Sequence, residues 1–205
     1  QQSLTIQQKI GNKLGEAATL GNISSIFTTR GNYETALSYL RQSLAIQQKI
    51  GHKSGEGSTL NKISNVFRIR GQYETALSCL QQSLVIQQEI GDKCGVGNTL
   101  SNISQIFQTR GEFVTALSYL RKSLVIQQEI GDKSGKGTTL NYISQVFQAW
   151  GDNRTALSYL KQSLSIQQEI GDKYGEGTTL GNISGVFKDR GDYVSALNYL
   201  QRSLV

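Results

Sequence analysis

The stretch LGNISSIFTTRGNYETALSYLRQSL, running from Leu20 to Leu44, decides the fold. Leu20, Ile23, Ser24 and Phe27 stand at i, i+3, i+4 and i+7, the spacing of one helix face. After Gly31 the same period resumes through Ala36, Leu37, Leu40, Ser43 and Leu44 and continues to Ile46 and Ile50. Arg30-Gly31 sets a cation at a helix C-terminus and, just beyond it, a residue free to take the left-handed conformation. Asn32 is placed to cap the helix that follows. These signals predict helix A over 13–30 and helix B over 33–50, two antiparallel helices joined by a short turn.

Outward from this stretch the same text returns at a fixed interval. Gly11, Gly51, Gly91, Gly131 and Gly171 are evenly spaced, and Gly31, Gly71, Gly111, Gly151 and Gly191 keep the same spacing. The columns of Lys13, Gly15, Thr19, Leu20, Ile23, Ser24, Phe27, Ala36, Leu37, Leu40, Ser43 and Leu44 are unchanged in all five copies. Residues 1–10 read as the end of a preceding helix B. Repeats then occupy 11–50, 51–90, 91–130, 131–170 and 171–205, the last truncated in helix B. One helical hairpin cannot bury its apolar face alone, so neighbours must stack, which predicts an all-α solenoid of antiparallel helix pairs. Glycine inside helix A costs roughly 1 kcal/mol relative to Ala, and its return at Gly15 and Gly55 predicts a close approach to the preceding helix B.

Composition narrows the chemistry. With 37% hydrophobic and 18% charged residues the chain can build a core, and no apolar run approaches the ~20 residues of a bilayer span. No charged segment followed by an apolar one opens the chain, and a sequence without Met is expected to be a fragment of a larger protein. The net charge of +6 comes from charges of alternating sign, so no nucleic-acid-binding stripe is expected and an acidic ligand is only weakly favoured. Cys79 and Cys94 have no partner at disulfide or metal-ligand spacing; free thiols point to a reducing, cytoplasmic setting, with no metal and no cofactor. His52 is the one histidine, with no nucleophile placed to use it, and no Gly-rich loop follows a strand, so catalysis is not expected. The sequons at Asn22, Asn102 and Asn182 fall in a predicted helix with their serines toward the core, and we read them as chance.

Leu20-x-x-Ile23-Ser24-x-x-Phe27, then Gly31-x-Tyr33-x-x-Ala36, then Leu40-x-x-Ser43-Leu44 resembles the tetratricopeptide repeat, in a longer form similar to that of kinesin light chains and the Pins family of polarity adaptors. The family's tryptophan is Leu20 here, its second helix-B alanine is Ser43, and its terminal proline is Gln48. The resemblance implies a right-handed superhelix whose concave wall is made by the A helices and holds a peptide. It places the groove on the columns of Ala18, Gly21, Asn22, Ser25, Thr28 and Thr29, and these columns vary between copies while the core columns beside them do not. The Asn22 column reads Asn22, Lys62, Asn102, Tyr142, Asn182; the Ser25 column reads Ser25, Asn65, Gln105, Gln145, Gly185; the Thr28 column reads Thr28, Arg68, Gln108, Gln148, Lys188.

Amide side chains supply both a donor and an acceptor to a peptide backbone, and Asn22, Asn102 and Asn182 match the family's groove asparagine. Lys62, Arg68 and Lys188 would select an acidic group, and Tyr142 offers a flat apolar contact. The family's full carboxylate clamp is not present. The Lys13 column forms a ladder of cations whose field Glu89, Asp92, Glu129 and Asp132 are expected to neutralise. In the fourth copy Trp150 and Asn153 break the pattern of Arg30 and Tyr33. The expected function is a scaffold that binds a partner's peptide segment. Two alternatives stay open: a spacer or self-associating stack with weak end-to-end contacts, and a sensor array regulating a fused effector domain.

Overall fold

The computed structural model describes residues 2–204, and their secondary structure is entirely helix and turn. Eleven helices follow one another: α1 (Gln2–Lys9), α2 (Lys13–Thr29), α3 (Tyr33–Lys49), α4 (Lys53–Ile69), α5 (Tyr73–Glu89), α6 (Lys93–Thr109), α7 (Phe113–Glu129), α8 (Lys133–Ala149), α9 (Asn153–Ile170), α10 (Lys173–Asp189) and α11 (Tyr193–Ser203). They fall into two compact units, residues 1–102 and residues 103–205. Helices A and B end within one residue of the limits read from the sequence.

Each turn is made by glycine. The glycines of the Gly11 and Gly31 columns all hold φ between 68° and 79°, the left-handed region that other residues enter at a cost. The starts of the helices are less uniform than expected. Asn12, Asp92, Asp132 and Asp172 cap the A helices by accepting from the backbone N–H three residues on, at 2.8–2.9 Å. His52 does not. Asn32, expected to cap α3, makes no side-chain cap bond; among the B helices that role falls to Asp152 and Asp192.

In the first unit Ala36, Leu37 and Leu40 of α3 pack with Ile63 and Val66 of α4. The second unit repeats this with Ala116, Leu117 and Leu120 against Ile143 and Val146, and with Ala156, Leu157 and Leu160 against Ile183 and Val186. The Phe27 column, read as core, is half-buried in every copy. Its rings stack on the tyrosine twelve residues on: Phe27 on Tyr39, Phe107 on Tyr119, Phe147 on Tyr159 and Phe187 on Tyr199, with centroids 5.4–5.6 Å apart. In the second copy the stacking partner is replaced by Cys79, whose thiol burial pushes upward in pKa.

Between helices runs a buried polar seam. The Ser43 column donates to a helix-A carbonyl: Ser43 to Ala17, Ser83 to Gly57 and Ser163 to Gly137, at 2.7–2.8 Å. The Thr19 column donates to the glutamine of the preceding helix B: Thr59 to Gln47, Thr99 to Gln87 and Thr179 to Gln167, at 2.6–2.8 Å. These invariant polar columns are therefore structural, since a buried hydroxyl must find a partner.

The Gly15 column explains itself differently from the backbone approach expected. A Cβ at Gly95, Gly135 or Gly175 would strike the capping aspartate and stand 2.8–3.0 Å from the Nε2 of Gln87, Gln127 or Gln167. The glycine is a socket for two side chains. In the lysine ladder Lys13, Lys53 and Lys173 pair with Glu16, Glu56 and Glu176 of their own helices, and Lys133 with Glu169, the column mate of Glu89 and Glu129.

Candidate functional site

In the first unit the A helices α2, α4 and α6 enclose a cleft of about 650 Å³. One wall carries Ser25, Thr28 and Thr29 of α2, the floor Asn61, Lys62 and Asn65 of α4, and the other wall Asp92, Cys94, Asn98 and Asn102 beside or on α6. The hydroxyls of the α2 wall donate inward to their own helix: Ser25 to the Gly21 carbonyl, Thr28 to Ser24 and Thr29 to Ser25, at 2.9–3.2 Å. Their lone pairs are what the cleft receives. Lys62 and Asp92 are the charged groups in the lining. Asp92 is engaged as the cap of α6, whereas Lys62 makes no ion pair among the described residues.

Of the residues singled out from sequence in this unit, Ser25, Lys62, Asn65 and Asn102 line the cleft. Asn22 is exposed on α2 outside that lining, and Arg68 is turned to Asn65, donating to its Oδ1 at 2.8 Å. In the second unit Gln105, Gln108, Tyr142, Gln145, Gln148 and Asn182 are half-buried and Lys188 is exposed. Tyr142 packs against the α7/α8 core. Gln148 donates to Asp189 at 2.6 Å, tying α8 to α10.

The column of Gly21, read as groove surface, is turned inward for most of its members: Ser101 and Asn141 are buried, and Asn61 is half-buried on the cleft floor. Asn61 donates through Nδ2 to Ser83 and Thr99, at 2.7 and 2.8 Å, and its Oδ1 accepts from Asn102 at 2.8 Å. The same arrangement recurs in the second unit, with Asn141 donating to Ser163 and Thr179, both at 2.9 Å, and accepting from Asn182 at 3.2 Å. The sequence signal for these two residues was their alternation with glycine or serine from copy to copy. Variation alone does not separate a drifting surface from an alternating buried partner.

Trp150 is 46% exposed and meets Phe113 and Phe147 edge-on, at 5.9 and 5.7 Å. Arg110 and Arg190, its column mates, lie over Phe107 and Phe187 at 5.9 Å. The tryptophan thus takes the place of a cation over the same ring. Among the described residues no cluster of His, Cys, Asp and Glu could hold a metal ion, and no helix is long and apolar enough to cross a membrane.

A tetratricopeptide-repeat sequence profile matches residues 1–49, 55–129, 95–169 and 135–204. No curated protein sequence matches the chain at a significant level. The fold is similar to that of BtubC (BKLC) from P. vanneervenii, with a TM-score of 0.78 and 17% identity over 98% of this chain and 85% of that one. It is similar to the nearly identical TPR-like repeats of a kinesin light chain from Podosopora anserina, with a TM-score of 0.64 and 16% identity over 91% and 92% of the two chains. It is also similar to the Rap conjugation gene regulator of the plasmid pLS20, solved in complex with the Phr* peptide. There the TM-score is 0.80, with 14% identity over 96% of this chain and 55% of that one.

Proposed function

The chain belongs to the tetratricopeptide-repeat family, and from that premise we propose that it is a protein-interaction scaffold whose A-helix face binds a peptide segment of a partner. The observation that carries this reading is the cleft of the first unit, about 650 Å³ and lined by hydroxyls and amides around the unpaired cation of Lys62. Hydroxyl and amide groups at the spacing of a helix face suit an extended backbone, whose polar groups need partners every residue or two. Lys62 favours an acidic side chain at one point of the peptide, while Asp92 disfavours one at the opposite wall. The pLS20 Rap regulator, similar in fold, is a peptide-bound example; this chain spans about half its length. Cys79 and Cys94 are reduced, not disulfide-bonded, which suits a cytoplasmic setting.

The test is selection of a phage-displayed random peptide library on the whole chain, followed by titration of the most enriched peptide. Lys62→Ala is expected to weaken an acidic binder about tenfold, the scale of one charge-assisted hydrogen bond, and to flatten its salt dependence. Lys133→Ala, which loses only an exposed ion pair with Glu169, is expected to leave binding unchanged. A library that enriches no peptide, or a binder indifferent to Lys62→Ala and Asn65→Ala alike, would remove the reading.

A further inference from the structure

Two adjacent columns of helix A read Gly21-Asn22, Asn61-Lys62, Ser101-Asn102, Asn141-Tyr142 and Gly181-Asn182. Asparagine changes place from one repeat to the next, so this pair recurs with every second copy and not with every copy. The buried seam supplies the reason. Ser83 donates its proton to the Gly57 carbonyl and Thr99 donates its own to Gln87, so both oxygens face Asn61 as acceptors. The Gly57 carbonyl itself lies 3.1 Å from Asn61 Nδ2. Three acceptors on one side fix the amide of Asn61 with its nitrogen inward, which leaves Oδ1 toward Asn102 and demands a donor there.

Asn102 answers with Nδ2, and its Oδ1 makes no hydrogen bond among the described residues while the side chain lines the cleft. The second unit repeats each step through Ser163, Thr179, Gly137, Asn141 and Asn182. A repeat with Gly21 before it has no side chain to offer the next one.

We infer that Asn61 and Asn141 are positioning residues: in the first unit Asn61 orients Asn102, and in the second Asn141 orients Asn182, so that each unit presents a fixed carbonyl acceptor to a ligand. A peptide in the cleft of the first unit is then held through a backbone N–H at Asn102, an arrangement to which the hydroxyls of the α2 wall, their protons already committed, also contribute acceptors. This rests on the peptide-scaffold reading above and deepens it by naming the polarity of the contact.

The first measurement needs no ligand. In the whole 15N-labelled chain the side-chain amide signals of Asn102 and Asn182 are expected to be dispersed and rigid. Asn61→Gly should shift those of Asn102 to the position of a free amide and leave Asn182 alone, and Asn141→Gly should do the reverse. Gly21 and Gly181 occupy the same column, so the fold accommodates the change. Asn61→Asp keeps an acceptor toward Asn102 but sets a carboxylate against the Gly57 carbonyl. It is expected to preserve the Asn102 signature while lowering the melting temperature, a split that a purely structural role would not produce. Unchanged Asn102 signals in Asn61→Gly overturn the inference, and the two glycine variants decide this even if Asn61→Asp does not fold.

The second measurement uses the most enriched phage-selected peptide. Asn61→Gly should weaken it about tenfold, and one backbone N-methylation should weaken binding to the wild type but not to the variant. If peptides bind but neither change matters, the acceptor role is wrong and the scaffold reading survives. If no peptide is enriched, the scaffold reading and the ligand contact fall together, while the amide signals still decide whether Asn61 orients Asn102.

Discussion

Thr99 is fully buried and its hydroxyl serves two partners at once, donating to Gln87 at 2.7 Å and accepting from Asn61 at 2.8 Å. Valine has the same shape and neither capacity. Thr99→Val should therefore leave the buried amide oxygen of Gln87 short of a donor, at a cost on the order of 1–3 kcal/mol, while Asn61 keeps Ser83 and the Gly57 carbonyl. Thr138→Val is the control, because Thr138 is exposed and bonds only to its own helix. Urea unfolding of both variants checks the difference; equal losses would mean that the seam contributes nothing. A phenylalanine of the Phe27 column is a weaker test of the core than its invariance suggests. Such a ring packs against the edge of the core and stays partly exposed, and where a tyrosine stacks on it the stacking is worth about 0.5–1.5 kcal/mol beyond area.

At the scale of the element, the helix ends divide into those with a carboxylate cap and those without. Asp152 at the start of α9 accepts from the hydroxyl and backbone N–H of Thr155, and Asp192 at the start of α11 does the same with Ser195. These hydrogen bonds hold both carboxyls below the usual aspartate range. A carboxyl depressed in the folded state stabilises above its unfolded value, about 3.9, and that contribution is lost as pH falls through the lower folded value. Glu16 and Glu176 are lowered likewise, Glu16 by Lys13 and Gln8, and Glu176 by Gln168 and Lys173. Asparagine caps as well as aspartate but does not titrate. The Asp152→Asn, Asp192→Asn double variant should melt like the wild type at neutral pH and lose less stability on acidification. Thermal melts from about pH 6 to about pH 3 decide it, and an unchanged slope would assign the acid sensitivity to other groups.

The helices themselves were legible in the sequence because glycine columns and a helical apolar period are local signals, and a positive φ at Gly31 follows from the turn alone. Capping at Asn32 was not legible, since Asn12 and Asn32 look alike in sequence and only the orientation of the side chain separates them. The cleft was half legible. Lys62 and Asn65 could be placed by spacing on one face of α4, and Asn102 on the matching face of α6, but the burial of Asn61 and Asn141 depends on Ser83, Thr99, Ser163 and Thr179, which lie 22 or 38 residues away.

For the whole molecule, a period of one repeat and a period of two make different predictions. The core columns recur in every copy, so excising residues 51–90 sets Gly91 after Ile50 and offers Gln47 to Thr99 in place of Thr59, with the stacking of helix pairs preserved. Stability of a repeat array is a sum over repeats and their nearest-neighbour interfaces, so that deletion should lower stability without collapsing the fold. The asparagine pairing recurs only in every second copy, and the same deletion places Gly21 in front of Asn102, which loses the acceptor that held it. Excising 51–130 instead keeps Asn141 in front of Asn182. Both deletions should give strongly helical circular dichroism spectra, but only the shorter one should release an asparagine amide, Asn102, to the free position in a 15N spectrum, while Asn182 stays ordered in both. A shorter deletion that unfolds where the longer one folds would make the two-repeat block the structural unit; collapse of both would remove the nearest-neighbour description altogether.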